Sequence, residues 1–436
     1  MSTWQDLVTA ALIGTERSTV PAVAVPGSPI QAGPDDPAVL LLDRAALLTV
    51  ARRGGRPADH AQPPPAAEPD SAPVVSAAAA GRLARMLGGQ HPELLTEWLA
   101  AAVARGRRVP AQLLPALLDR ARRMVPADTE LRRLAAEAGG SRARWLAGLN
   151  PDWKFVLADT LGDDAWRRGT AVQRRGYLTA LRGRDPGAAR ELIADGWAAA
   201  GPQERVMFVS AMARGLSLAD EPLLEAALDD GNTSVRTMAA DVLAALPESA
   251  LARRMTVRAA GCLSLQQGHR GARLVACPPI QCDAGLRRDG ITPGPGAAGG
   301  RPAGQANLLF EVLARTPLST WTAQFGRPAE QILALPSGHW AAALFTGWAR
   351  AAIAQRDQAW MAALINWALA GGLPGTPAGE QALRDLVRRA DPAVLAAPGI
   401  TVGTVPAERP AARDALTVLR FRCHMLKELT DDDSAR

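Results

Sequence analysis

Four side chains able to ligate a soft metal lie within 21 residues of one another: Cys262, His269, Cys277 and Cys282. A tetrahedral zinc centre needs four such thiolate or imidazole donors. Their spacing, C-x6-H-x7-C-x4-C, fits no common zinc motif. They are the weak metal candidates of the chain, idle or buried thiols being the simpler reading, and neither a metal nor a cofactor is expected.

Other chemistries fail on local grounds. Gly294-Pro-Gly-Ala-Ala-Gly299 spells G-x-G-x-x-G, but no strand leads in and no helix leads out, and Pro295 removes an amide that a phosphate cradle would need. Neither lysine follows a glycine, which rules out a Walker A loop, and G-x-S-x-G is absent. The five histidines are too scattered for a local metal pair. No catalytic constellation emerges, so the expectation is a protein that binds rather than an enzyme.

Arginine and tryptophan supply the binding candidates. Arg120, Arg122, Arg123, Arg132 and Arg133 sit on adjacent helical segments, interleaved with Asp119, Asp128, Glu130 and Glu137. A solvated helix face is the plain reading, and a patch for an acidic partner, with Arg120 and Arg123 in it, is the functional one. Of the 11 tryptophans, Trp166 and Trp197 share a periodic position, and Trp340, Trp348, Trp360 and Trp367 fall on apolar stripes, which marks them as core. Trp145 and Trp153, flanked by Arg142, Arg144 and Lys154, are the exceptions that could meet a partner.

Composition bounds what must hold these residues. The chain has 436 residues, 48% hydrophobic and 21% charged, which is globular and sufficient for a sizeable core. Its net charge of +6 rests almost wholly on arginine, Lys154 and Lys427 being the only lysines. The excess is local: residues 76–150 carry 12 arginines against 6 acids, whereas residues 151–255 carry 13 basic and 15 acidic residues. Four cysteines make no disulfide framework, no run of 18 apolar residues occurs, and the opening Met-Ser-Thr-Trp-Gln-Asp lacks a basic leader. A cytoplasmic protein without a membrane segment is the expectation.

Helical periodicity predicts an all-α chain. An N-terminal helical segment (1–55) holds helices over Trp4–Ile13 and Pro37–Arg53, and residues 56–75 read as a Pro-rich linker with too few large apolar residues to anchor it. A helical repeat domain (76–255) follows, then an irregular Gly/Pro-rich insertion (256–307), in which Leu274-Val275-Ala276 is compatible with a short strand, and a C-terminal helical domain (308–436) ending in a helix over about 411–429. The decisive signal lies in 151–255. Gln173-Arg174, Glu204-Arg205 and Val235-Arg236 recur every 31 residues, and Leu161, Leu192 and Leu223 keep that period, as do Trp166, Trp197 and Leu228. A period in the thirties is the mark of stacked helix pairs, each burying its apolar stripe against the next.

The third copy, with Asp230, Val235-Arg236 and the run to Leu246-Pro247, resembles the HEAT repeat family. That resemblance implies an α-solenoid of antiparallel helix pairs, with a ladder in which Arg174, Arg205 and Arg236 pair with Asp164, Asp195 and Asp230. More of the chain resembles a bacterial family of unknown function: Trp4-x-x-Leu7-Val8-x-x-Ala11-Leu12-x-Gly14-Thr15-x-Arg17, then Leu149-Asn-Pro-Asp-Trp153, the repeat block, and Arg288-Asp-Gly-Ile291. Members are often encoded near MoxR-type AAA+ ATPases, von Willebrand factor A-domain proteins and SWIM zinc-finger proteins, which implies an accessory role in a multi-protein system. The expectation is a non-catalytic scaffold or adaptor that binds protein partners, with Trp145, Trp153, Arg174 and Arg205 the first residues to try. The alternative is a HEAT-like nucleic-acid-binding or repair protein, disfavoured because the repeat block is net acidic where phosphates would require positive charge.

Overall fold

A computed structural model describes residues 4–23, 36–53, 64–123, 129–157, 163–269, 271–294, 302–391 and 409–430. The chain divides into two compact units, residues 1–66 and 67–436. In the first unit the expected helices form, α1 (Trp4–Ile13) and α2 (Pro37–Arg53), and pack together. Arg44 of α2 donates to the carbonyls of Val20 and Pro21, both at 2.6 Å, and so ties down the chain that leaves α1.

The second unit is built from helices and one small hairpin. Helices α3 (Ala77–Leu87), α4 (Leu95–Ala104), α5 (Leu114–Arg123) and α6 (Thr129–Leu149) enclose Leu83, Trp98, Leu99, Leu117 and Leu134. α6 is broken at Gly140, whose φ of 60° and ψ of −145° are open to glycine but strained for other residues. The stretch expected to be a loose linker makes that break possible. Asp70 accepts hydrogen bonds from the Ser141 amide (3.0 Å) and hydroxyl (2.9 Å), capping the second half of α6. Val74 bridges to Arg108, and Val75 is buried. Backbone pairing and one carboxylate thus anchor a segment that hydrophobicity alone left free. Residues 56–63 of that linker lie outside the described residues.

The central block comprises α7 (Asp163–Arg167), α8 (Ala171–Arg184), α9 (Pro186–Gly196), α10 (Pro202–Met212), α11 (Glu221–Ala227), α12 (Thr233–Leu243) and α13 (Ala250–Cys262). The residues preceding α8, α10 and α12 are Thr170, Gly201 and Asn232, each 31 after the last. Thr170 and Gln173 form a reciprocal capping box, and Asn232 caps through the Ser234 amide. These three helices pack side by side in order. The helices preceding them, α7, α9 and α11, end at Arg167, Gly196 and Ala227.

Beyond α13 the expected irregularity gives way to structure. β1 (Leu263–Gly268) pairs antiparallel with β2 (Gly271–Ala276), and a short helix, α14 (Ala284–Arg288), follows. Glycine and proline had masked a hairpin whose amphipathic stretch is only two residues deep, Leu263 and Leu274 being its buried side chains. The G-x-G-x-x-G match lies, after Gly294, outside the described residues. Then come α15 (Pro302–Arg315), α16 (Ser319–Phe325), α17 (Ala329–Leu333), α18 (Ala341–Gln355), α19 (Gln358–Trp367), α20 (Pro377–Arg389) and α21 (Pro410–Thr430). One core runs from Leu178 to Leu419, and Trp321, Trp348 and Trp360 lie buried in it.

α21 is buried on two sides. Ala412, Ala415, Leu416 and Leu419 join the large core, whereas Phe421, Met425 and Leu429 complete the core of α3–α6. Arg422, 3% exposed, sits between, donating to Glu97 (2.6 Å) and to the carbonyls of Val387 and Ala390. Arg82 pairs with Glu428 and lies over the Phe421 ring, 4.6 Å from its centroid. Among the described residues no helix is long and apolar enough to cross a membrane.

Candidate functional site

The three arginines that hold the repeat register are all engaged within the fold, in three different ways. Arg174 lies 3.1 Å from Glu204 of the next second helix. Arg205 donates to Asp230 at 2.8 Å and to the Trp197 carbonyl at 3.2 Å, its guanidinium 5.6 Å from the centre of the Trp197 ring. Arg236 donates to the Asp230 carbonyl (2.7 Å), the Gly231 carbonyl (3.1 Å) and the Thr233 hydroxyl (3.0 Å), closing its own turn. Of the ladder implied by the HEAT resemblance, only Arg205–Asp230 joins one copy to the next as expected. Glu204, not Asp195, receives Arg174, and Asp195 is exposed. The Asp164 side chain lies outside the described residues.

The basic cluster is likewise internally partnered. Arg123 reaches Asp119 at 3.4 Å, and Arg133 pairs with Glu130 (2.8 Å) and Glu137 (2.5 Å). Arg132 donates to the carbonyls of Ala121 (3.1 Å) and Arg122 (3.2 Å), capping the end of α5, and lies 5.6 Å from the centre of the Phe155 ring. Arg120 is half-buried. Such pairing cancels most of the field that the arginine count suggests.

A surface of mixed character forms where α5, α6 and the single-turn helix Pro151–Val156 meet. Asn150 caps that turn by accepting from the Asp152 amide at 3.0 Å, and the turn folds back on α6. Half-buried Trp153 donates its indole N–H to Asp119 at 3.0 Å, a bond that holds the Asp119 carboxyl below its ordinary range. Arg122 lies 3.6 Å from Asp152. On either side stand Leu149 and Leu157, 51% and 45% exposed. The motif Leu149-Asn-Pro-Asp-Trp153 thus packs through its tryptophan and leaves Leu149 exposed. Trp145, on α6, is half-buried. In the first unit, Thr15 and Arg17 of the opening motif line, with Ser18, Thr19, Pro37 and Leu40, a hollow of about 480 Å³.

The soft-ligand candidates do not converge. Cys262 is buried, Cys282 half-buried, and Cys277 and His269 exposed, His269 standing at the hairpin tip. Among the described residues no three His, Cys, Asp or Glu side chains are grouped to hold a metal.

Sequence reasoning missed two buried charge networks. Arg182 of α8, fully buried, donates to both oxygens of fully buried Asp220 (3.0 and 2.9 Å) and to the carbonyls of Pro186, Met212, Arg214 and Gly215. Burial alone would raise the Asp220 pKa, but donors from Arg182, Arg190 and the Ser217 amide outweigh it and hold the carboxyl low. The second network is centred on Asp289, 1% exposed, which receives Arg254 at 2.7 Å and Arg258 as well. Arg254 and Arg288 also reach Glu225, and Arg288 reaches Asp229 at 2.7 Å. Gly290 follows with φ 73°, where an added Cβ would lie 2.7 Å from both the Ala240 side chain and the Arg236 carbonyl. Arg288-Asp-Gly-Ile291 is therefore an anchor that clips the end of α14 across α11–α13, with Ile291 buried beneath. The only sequence signal was the motif itself, since nothing in helical periodicity marks an aspartate as buried.

No curated protein and no solved structure matches the chain. The motifs at Gly14-Thr15-x-Arg17, at 149–153 and at 288–291 fall within residues 6–398, which match the model of a family of unknown function, DUF5691, and the chain belongs to that family.

Proposed function

We propose that the protein is a non-catalytic scaffold, a HEAT-like stack of helix pairs that presents its surface to protein partners. The observation that carries this reading is the side-by-side packing of α8, α10 and α12 at a fixed 31-residue interval within one continuous core. Burial passed from neighbour to neighbour yields an extended surface rather than an enclosed cleft. Arg174 and Arg205 are spent on bracing, so the binding edge is placed instead at Leu149, Trp153 and Leu157, with Arg122, Arg123 and Lys154 around it. A few desolvated apolar anchors within a charged rim carry most of the affinity at such surfaces.

The implied association with AAA+ systems makes an AAA+ ATPase the first partner to try, as an accessory contact. Co-purification of the full chain with candidate ATPases tests this. The reading predicts nuclease-resistant capture that Leu149→Asp with Leu157→Asp reduces at least about tenfold, the equivalent of about 1.4 kcal/mol. Capture lost on nuclease treatment, together with a salt-dependent gel shift, would instead favour nucleic-acid binding.

A further inference from the structure

We infer that Cys262 and Cys277 form a reversible disulfide that staples the foot of the β1–β2 hairpin to the end of α13. The two residues face each other one step beyond the last strand pair, Leu263↔Ala276. The Cys277 amide donates to the Cys262 carbonyl at 2.8 Å, so the two backbones stay adjacent where α13 hands over to β1. That bond holds the two residues side by side, as the Cα separation of about 4.4–6.8 Å that a disulfide spans requires.

Their environments divide the labour. Cys277 is exposed and open to an oxidant. Cys262 is 4% exposed, and burial, with Cys277 nearby, pushes its thiol up to about 11, so it is shielded from direct attack. With a peroxide as oxidant, the Cys277 sulfur attacks the O–O bond, becoming a sulfenic acid and releasing one water. The Cys262 sulfur then attacks the sulfenic sulfur. The S–S bond forms, the S–O bond breaks, and the hydroxyl leaves as a second water with the Cys262 proton. A dithiol reductant reverses the bond by exchange, being itself oxidised. Closing the ring fixes the hairpin against α13 just ahead of Cys282 and the Asp289 anchor.

The test is made on the reduced full chain, treated with equimolar hydrogen peroxide, alkylated and digested without reduction. The expected product is a monomer lighter by two hydrogens, with the peptide ending at Arg270 joined to the one beginning at Leu274. It should form in wild type and in Cys282→Ser and Cys423→Ser, be absent in Cys277→Ser, and be undone by dithiothreitol. Because Cys277 is exposed, that variant is expected to fold. Hydrogen exchange over residues 263–276 should slow on oxidation in wild type and stay unchanged in Cys277→Ser. A bond through Cys282 or Cys423, a cross-linked dimer, or Cys277 oxidised to sulfinic acid without a bond would overturn the assignment.

Discussion

The central block and the helices α5 and α6 use their arginines differently. In α5 and α6 the ion pairs are local and wet: Arg123–Asp119, Arg133–Glu130 and Arg133–Glu137 lie three or four residues apart, with side chains 38–68% exposed. In the central block they are long-range and at least partly buried. Arg174–Glu204, Arg205–Asp230, Arg182–Asp220 and Arg254–Glu225 join residues 25–38 apart, and Arg182 and Asp220 are both fully buried. Exposed pairs contribute little because water screens them and two long side chains must be ordered. A buried charge cannot be left unpaired at all, so each deep pair fixes which helix sits beside which. The arginines of α5 and α6, the most conspicuous in the sequence, are thus those whose charges matter least to the architecture.

The largest effect expected is for Asp220→Ala, which leaves the Arg182 guanidinium buried without its carboxylate. A loss of about 3–5 kcal/mol should appear in urea unfolding. Gly290→Ala comes next: the positive φ and the contacts with Ala240 and Arg236 predict a loss of about 2–4 kcal/mol. It should be accompanied by faster proteolysis at Arg287 and Arg288 as the anchor releases. Acidification comes third. Asp220 and Asp70 titrate below their ordinary value of 3.8 in the folded chain, so their stabilisation is complete above that value and drains away as the pH falls beneath it. Asp220→Asn should flatten the acid limb of a stability–pH curve, and a limb unchanged by it would assign acid unfolding elsewhere. Smallest is Arg133→Ala, about 0.5 kcal/mol or less and vanishing in high salt. A loss as large as that of Asp220→Ala would erase the contrast between the two blocks.

Legibility followed the same division. The helices Trp4–Ile13 and Pro37–Arg53 and the last helix were readable because each repeats its apolar residues at helical spacing. The 31-residue register was readable because N-caps and apolar positions of α8, α10 and α12 share it. Of the hairpin only Leu274-Val275-Ala276 was legible as a strand; β1 was hidden by Gly268, Gly271 and Pro278-Pro279, which read as breakers yet only bound two short strands. The Asp70 cap and the Asp289 anchor were hidden for a different reason. Each depends on a residue distant in sequence, 71 residues away for Asp70–Ser141 and 35 for Arg254–Asp289, and no local pattern records such a partner. At the candidate site, Trp153 was legible as an unusual tryptophan among charges. Its flanking Leu149 and Leu157 were not, because exposure of a leucine is a property of the packed chain.

Double-mutant cycles on Arg182/Asp220 and on Arg133/Glu137, each followed by urea unfolding, bear most directly on whether depth decides what a charge does here. The buried cycle should give a coupling of about 2–3 kcal/mol, with the double variant far less damaged than the two single losses together. The exposed cycle should give about 0.5 kcal/mol or less. Equal couplings in the two cycles would contradict the view that buried inter-helix charges hold the central helices in order.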